Sequence, residues 1–123
     1  MFTYEAKVVH VVDGDTIKMM IDLGFYCWTE QIIRLARINA PDVKNWGAKG
    51  IEDPARDFVL GVLPPGAVCV VKISRREKYG RFLGEVLFVP GETDRNRIIA
   101  NARNLNDELL RAKLVAPYSG GKK

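Results

Sequence analysis

Residues 5–23 read EAKVVHVVDGDTIKMMIDL. Two β-prone runs, 5–12 and 15–23, flank Asp13-Gly14, a turn dipeptide, so the segment is expected to form a β-hairpin. Side chains alternate along a strand, which places Asp15 on the face of Ile17, Met19 and Ile21. That face is apolar and is expected to point into a barrel. A carboxylate there is costly unless hydrogen bonds or a cation satisfy it. A plain turn-capping role accounts for Asp15 equally well at this level.

Outward from the hairpin, residues 31–38 (QIIRLARI) read as a third strand stopped by Asn39-Ala40-Pro41. Arg34 falls on the face of Ile32, Ala36 and Ile38, and Arg37 on the opposite face with Ile33 and Leu35. A guanidinium among aliphatic side chains needs a carboxylate or phosphate partner, and a structural Asp–Arg pair is the plain reading. Residues 39–52 form a long polar loop. Asp53 and Pro54 then open a helix as N-cap and first residue, with Ala55, Phe58, Val59 and Val62 on its apolar face. Pro64-Pro65-Gly66 ends it. Residues 67–73 and 81–89 are two further strands joined by the basic stretch SRREKYG. A last helix covers 105–113, with Asp107 and Glu108 in its first turn and Arg111 and Lys113 in its last, as the helix dipole favours. Residues 91–104 carry Arg95, Arg97 and Arg103 and show no clear periodicity. A solvated basic loop is the expectation there, contact with a phosphate backbone the alternative. Five short strands with a helix after the third predict an α+β, mainly β fold: a five-stranded Greek-key barrel of OB type with two helices. One domain over residues 1–118 and a flexible basic tail over 119–123 are expected.

The 123 residues suit one core, and an apolar fraction of 47% is that of a globular chain. Lys and Arg exceed Asp and Glu by 19 to 15, a net charge of +4 that suits a polyanion partner without requiring one. Cys27 and Cys69 show no zinc spacing and are expected as buried free thiols. The single histidine, His10, lies in a strand and is expected to pack or face solvent. Trp28, Trp46 and Tyr26 are expected to pack against neighbours rather than stack on bases. No signal peptide and no membrane-length apolar run is visible, so a cytoplasmic, soluble monomer is expected.

Asn39 and Asp42 offer oxygen ligands close after Arg34, and oxygen ligands without histidine or cysteine favour a hard cation such as Ca²⁺. Arg81 follows Lys78-Tyr79-Gly80 and would complete a phosphate site. Spacing alone does not bring residues 15, 34, 42 and 81 together.

Four motifs in order resemble the staphylococcal-nuclease (thermonuclease-like) family. They are Val12-Asp13-Gly14-Asp15-Thr16, Arg34-Leu35 followed by Ile38-Asn39-Ala40-Pro41-Asp42, Lys78-Tyr79-Gly80-Arg81, and Asn106-Asp107-Glu108-Leu109-Leu110. The resemblance covers roughly residues 5–118. It implies an OB barrel and Ca²⁺-dependent hydrolysis of DNA and/or RNA to 3′-phosphate products. By this resemblance Asp15, Asn39 and the Ala40 carbonyl hold the metal, with Asp13 behind them. Asp42 positions the attacking water, Arg34 binds phosphate oxygens, and Arg81 offsets charge on the leaving oxygen. Lys78, Tyr79 and Tyr118 contact the nucleotide. Two departures stand at the centre of the pattern. Asn39 replaces the usual aspartate and removes a ligand charge. Asp42 replaces the usual glutamate and is shorter by about 1.5 Å, where a misplacement of about 1 Å costs on the order of 10²-fold in rate. The family's third, C-terminal helix has no counterpart in the sequence. A catalytically weakened or inactive OB-fold nucleic-acid-binding module is therefore the alternative, and a protein-interaction OB domain a third reading.

Overall fold

β1 (Phe2–Asp13), β2 (Thr16–Asp22) and β3 (Trp28–Leu35) form an antiparallel meander in a computed structural model that describes residues 2–41, 43, 49–76 and 80–118. A two-residue strand, β4 (Ile38–Asn39), leads away from β3, and α1 (Pro54–Val62) follows. β5 (Val68–Arg76) returns antiparallel to β1, and β6 (Phe82–Phe88) antiparallel to β5. β6 also runs parallel to β3, which closes five strands into a barrel. A meander, a helix and two returning strands closed by a parallel pair make the OB arrangement, within the expected α+β class. The tail at 119–123 lies outside the described residues.

Alternation decides the interior. Val8 of β1, Ile17, Met19 and Ile21 of β2, Ile33 and Leu35 of β3, Val71 of β5 and Phe88 of β6 pack into one core. Asp53 caps α1 by accepting from the Arg56 N–H, and Pro54 fills the first turn, as the sequence predicts. Ala55 and Val59 of that helix close one end of the barrel. Gly14 lies against it so closely that a Cβ there would stand 2.5 Å from the Ala55 Cβ. The turn between β1 and β2 therefore needs glycine for space.

The structure departs from the sequence reading in five places. The inward face of β3 is Ile33 and Leu35, and Arg34 points to the other side of the sheet. The alternation breaks at Ala36-Arg37, where Arg37 adopts a φ of 69°; its guanidinium then reaches Glu85 and Asp107, each at 2.7 Å. The segment 91–104 is no loose loop. It holds a third helix, α2 (Arg95–Ala100), capped by Asp94, and Ile98 packs on Val68 and Val70 outside the barrel. Arg103, in the two-residue strand β7 (Arg103–Asn104), pairs with Glu108 at 2.6 Å. α3 (Leu105–Arg111) stops two residues short of the expected end, and Lys113 follows at positive φ. Cys69 is buried, which pushes its thiol up to about 12, but Cys27 is exposed. Tyr26 is fully exposed rather than packed, Trp28 is partly so, and Trp46 lies outside the described residues. Among the described residues no helix is long and apolar enough to cross a membrane.

Asn106, fully buried, fastens the closing strands. Its Nδ2 donates to the carbonyls of Ala36 (2.8 Å) and Gly84 (3.1 Å), and its Oδ1 accepts from the Val86 N–H (3.1 Å). Asn106→Ala is expected to cost about 2–4 kcal/mol, because three buried backbone groups lose their partner. Urea denaturation measures this; a loss below about 0.5 kcal/mol, the range of ordinary surface substitutions, would show that the clasp is dispensable.

Candidate active site

The β1–β2 turn carries two aspartates because a tight reversal there uses side-chain acceptors. The Asp15 N–H donates to Asp13 Oδ1 at 3.2 Å, an Asx-type link. The Asp15 carbonyl accepts from the Leu35 N–H at 2.8 Å, so the turn is pinned to the end of β3. The Asp15 carboxylate, 7% exposed, is held on both oxygens. Oδ1 accepts from the Thr16 hydroxyl at 2.9 Å, and Oδ2 from the Ala40 N–H at 2.8 Å. Arg34 Nη1 lies 3.4 Å from the same Oδ2.

Arg34 is as buried as Asp15. Its Nη1 donates to the carbonyls of Leu35 (2.9 Å) and Ile38 (2.8 Å), and Nη2 to Asn39 Oδ1 (3.1 Å). The guanidinium also lies 5.7 Å from the ring centre of Tyr118. Tyr118 is brought there by β8 (Ala116–Pro117), which pairs with β4, and by its own N–H to the Arg37 carbonyl at 2.8 Å. Three of five guanidinium hydrogens are thus spent on the fold, and the other two make no hydrogen bond among the described residues.

Arg81 precedes β6. The parallel register sets Arg34 beside Leu83 and Ile33 beside Phe82. Arg81 stands one residue before the strand, with its Nε buried. The structure therefore brings Asp13, Asp15, Arg34, Asn39, Ala40 and Tyr118 into one cluster, with Arg81 one strand over. Asp42, Lys78 and Tyr79 lie outside the described residues.

The two turn aspartates behave as a pair. Burial raises the Asp13 carboxyl to about 6, assisted by the hydrogen bond to Asp15 and its negative charge. Burial also opposes ionisation of Asp15. There it is outweighed by the proton shared with Asp13, the Ala40 N–H, Arg34 and Thr16, which together hold Asp15 below the ordinary carboxylate range. Two close carboxylates beside an amide oxygen and backbone carbonyls are a hard-oxygen donor set, and they fit a divalent cation such as Ca²⁺. Among the described residues no three acidic, histidine or cysteine side chains converge on one point. Part of such a shell would have to come from the Asn39 amide and the Ala40 carbonyl. Sequence reasoning missed the Thr16 hydroxyl and the link from Leu35 to the Asp15 carbonyl, since neither follows from spacing within one strand.

No family model matches the chain. An uncharacterized endonuclease of Escherichia coli O157:H7 is 31% identical over 96 residues, covering 78% of this chain and 56% of that protein. An uncharacterized endonuclease of Escherichia coli matches to the same extent. Endonuclease YhcR of Bacillus subtilis (strain 168) is 31% identical over 108 residues, 80% of this chain and 8% of that protein. The chain thus spans about half the length of two curated relatives and a small part of the third.

The sign of the Asp13 effect is testable. A carboxyl raised from 3.8 to about 6 holds its proton more tightly in the folded protein than in the unfolded chain. Its favourable contribution is complete below pH 3.8 and is lost as the pH rises through about 6. Asp15, shifted down, acts oppositely at lower pH. In chelator, Asp13→Asn keeps the acceptor for the Asp15 N–H and is expected to melt higher than the parent at pH 7, with the difference closing by about pH 4. Equal melting temperatures at pH 7 would contradict the shared proton.

Proposed function

We propose that this protein is a divalent-cation-dependent nuclease that hydrolyses phosphodiester bonds of DNA or RNA. The observation that carries the reading is the buried contact of Asp15 with Arg34 at 3.4 Å, beside a second carboxyl, Asp13, that burial raises to about 6. The names of the three relatives, all endonucleases, support the same class.

In this reading Asp15, the Asn39 amide and the Ala40 carbonyl would hold the cation, with Asp13 behind them, Ca²⁺ by the hard-oxygen donor set. When bound, it supplies positive charge against the phosphoryl oxygens. Arg34 uses its remaining hydrogens to fix a non-bridging phosphate oxygen, already oriented by its three bonds to the fold. Asp42 orients a water for in-line attack on phosphorus and accepts the proton that the water releases. As the new P–O bond forms, the bond to the 5′-oxygen breaks. Arg81 offsets the charge on that oxygen, which takes a proton, and a 3′-phosphate is left.

A second reading has one observation in its favour. The Asn39 amide oxygen is already engaged by Arg34 Nη2 at 3.1 Å, so the ligand set is weak in charge. An OB module that binds nucleic acid with little cleavage would show this. Digestion of single-stranded and duplex DNA and RNA, with Ca²⁺, with Mg²⁺ and with chelator, separates the two. The nuclease reading expects metal-dependent cleavage that Arg81→Ala reduces by 10²-fold or more, as removal of a transition-state donor does, with an unchanged melting temperature. Binding without cleavage under any metal would leave the module. Asn39→Asp is expected to tighten Ca²⁺ binding in calorimetry; equal or weaker binding would contradict the ligand assignment.

A further inference from the structure

The β2–β3 turn places two aromatic rings entirely in solvent. Phe25 and Tyr26 are 98% and 101% exposed, and both adopt positive φ, 55° and 59°. Left-handed backbone is unfavourable for bulky residues. The turn holds them there through the Leu23 N–H to the Cys27 carbonyl (2.8 Å), the Cys27 N–H to the Gly24 carbonyl (2.9 Å) and the Gly24 N–H to Asp22 Oδ1 (2.8 Å). Neither ring serves the core, and two adjacent bare aromatics mark a binding surface.

The strand register gathers further groups at this end of the barrel. Trp28 starts β3 opposite Asp22, and the Lys7 ammonium lies 5.8 Å from its ring centre. Phe2, 70% exposed, and Tyr4 lie 6.5 Å apart at the start of β1. Exposed Arg75 and Arg76 end β5, with Arg76 opposite Phe82. Between them opens a cavity of about 110 Å³ lined by Tyr4, Leu23, Gln31 and Phe82, among others. An Arg76 Nη2 stands 3.8 Å from where a Gly80 Cβ would sit, next to Arg81. Arg76 thus stands beside the segment that leads into β6.

Bare ring faces interleaved with guanidinium and ammonium groups match unpaired bases on a phosphate backbone, since each exposed base has a face to stack. A duplex keeps those faces to itself. Lys18 is already paired with Glu30 at 3.9 Å, so the positive charge rests on Lys7, Arg75 and Arg76. We propose that the collar of Phe25, Tyr26, Trp28, Arg75 and Arg76 binds the unpaired bases of a single-stranded nucleic acid that extends from the phosphate site. The identity of the polymer rests on the nuclease reading above.

The test is fluorescence anisotropy of a labelled oligothymidylate strand, in chelator, against the parent chain and the double variant Phe25→Ser/Tyr26→Ser, with Cys27→Ser as a control in the same turn. The double variant is expected to bind the strand about tenfold more weakly, with Cys27→Ser unchanged and a blunt duplex affected little. Thermal melts establish that both variants fold. Unchanged affinity in the double variant, or equal weakening for the duplex, would overturn the proposal. So would loss of binding to phosphatidylcholine–phosphatidylglycerol vesicles with strand binding intact, which would make the collar a membrane-docking surface. Ring-dependent binding without metal-dependent cleavage would leave the collar standing and remove the nuclease reading. Cleavage without ring dependence would do the reverse.

Discussion

The contact between Asp15 and Arg34 constrains this structure more than any other. Burying a carboxylate and a guanidinium costs several kcal/mol per ion, and the attraction between them repays this only when their other hydrogen-bonding groups are satisfied. Here they are. Thr16 and the Ala40 N–H complete Asp15, while the carbonyls of Leu35 and Ile38 and the Asn39 amide engage Arg34. Each partner lies on a different piece of chain: the β1–β2 turn, the end of β3, and the bend through β4. The pair thus ties the bend through β4 to the turn and to the end of β3, which the β2–β3 ladder already joins, and it leaves a polar, partly unspent guanidinium at the place where they meet.

Barrel closure does the rest. The parallel pairing of β3 with β6 sets Arg34 beside Leu83, with Arg81 just before β6. Asn106 fastens that closure from outside by bonding to Ala36, Gly84 and Val86. Glu85 and Asp107 hold Arg37 in the turn that carries the chain from β3 to β4. The site is therefore built on rigid strands and on one bend gripped from several directions, an arrangement suited to holding charged groups in fixed geometry. Asp13 and Asp15 lie together on the turn that Arg34 contacts at 3.4 Å.

Much of this was legible before any coordinates. Asp15 among Ile17, Met19 and Ile21 announced a carboxylate that must be satisfied, and Asp53-Pro54 marked the start of α1. Arg34 reads as a misfit on the face opposite Ile33 and Leu35, and it lies there. Strand alternation was carried through Ala36-Arg37, and the positive φ of Arg37 breaks it. The helix at Arg95–Ala100 escaped notice because six residues with one buried apolar side chain, Ile98, give no periodicity to detect. Its capping residue, Asp94, was the one local signal. The convergence of Asp15, Arg34 and Ala40 depends on contacts between segments 19 and 25 residues apart, which local patterns do not encode. The exposure of Phe25 and Tyr26 was hidden for another reason: aromatic residues normally pack, and composition holds no sign that a turn will present them to solvent.

The account stands or falls on whether a cation binds at the β1–β2 turn beside Arg34. Titration of Mn²⁺ into the isotopically labelled protein, followed by NMR, locates the ion through paramagnetic broadening of nearby amide signals. The account predicts broadening centred on residues 13–16 and 39–40, reversed by chelator and absent from Asp15→Ala, with Ile98 on the far side of the sheet remaining sharp. Broadening centred elsewhere, or none at millimolar Mn²⁺, would contradict it.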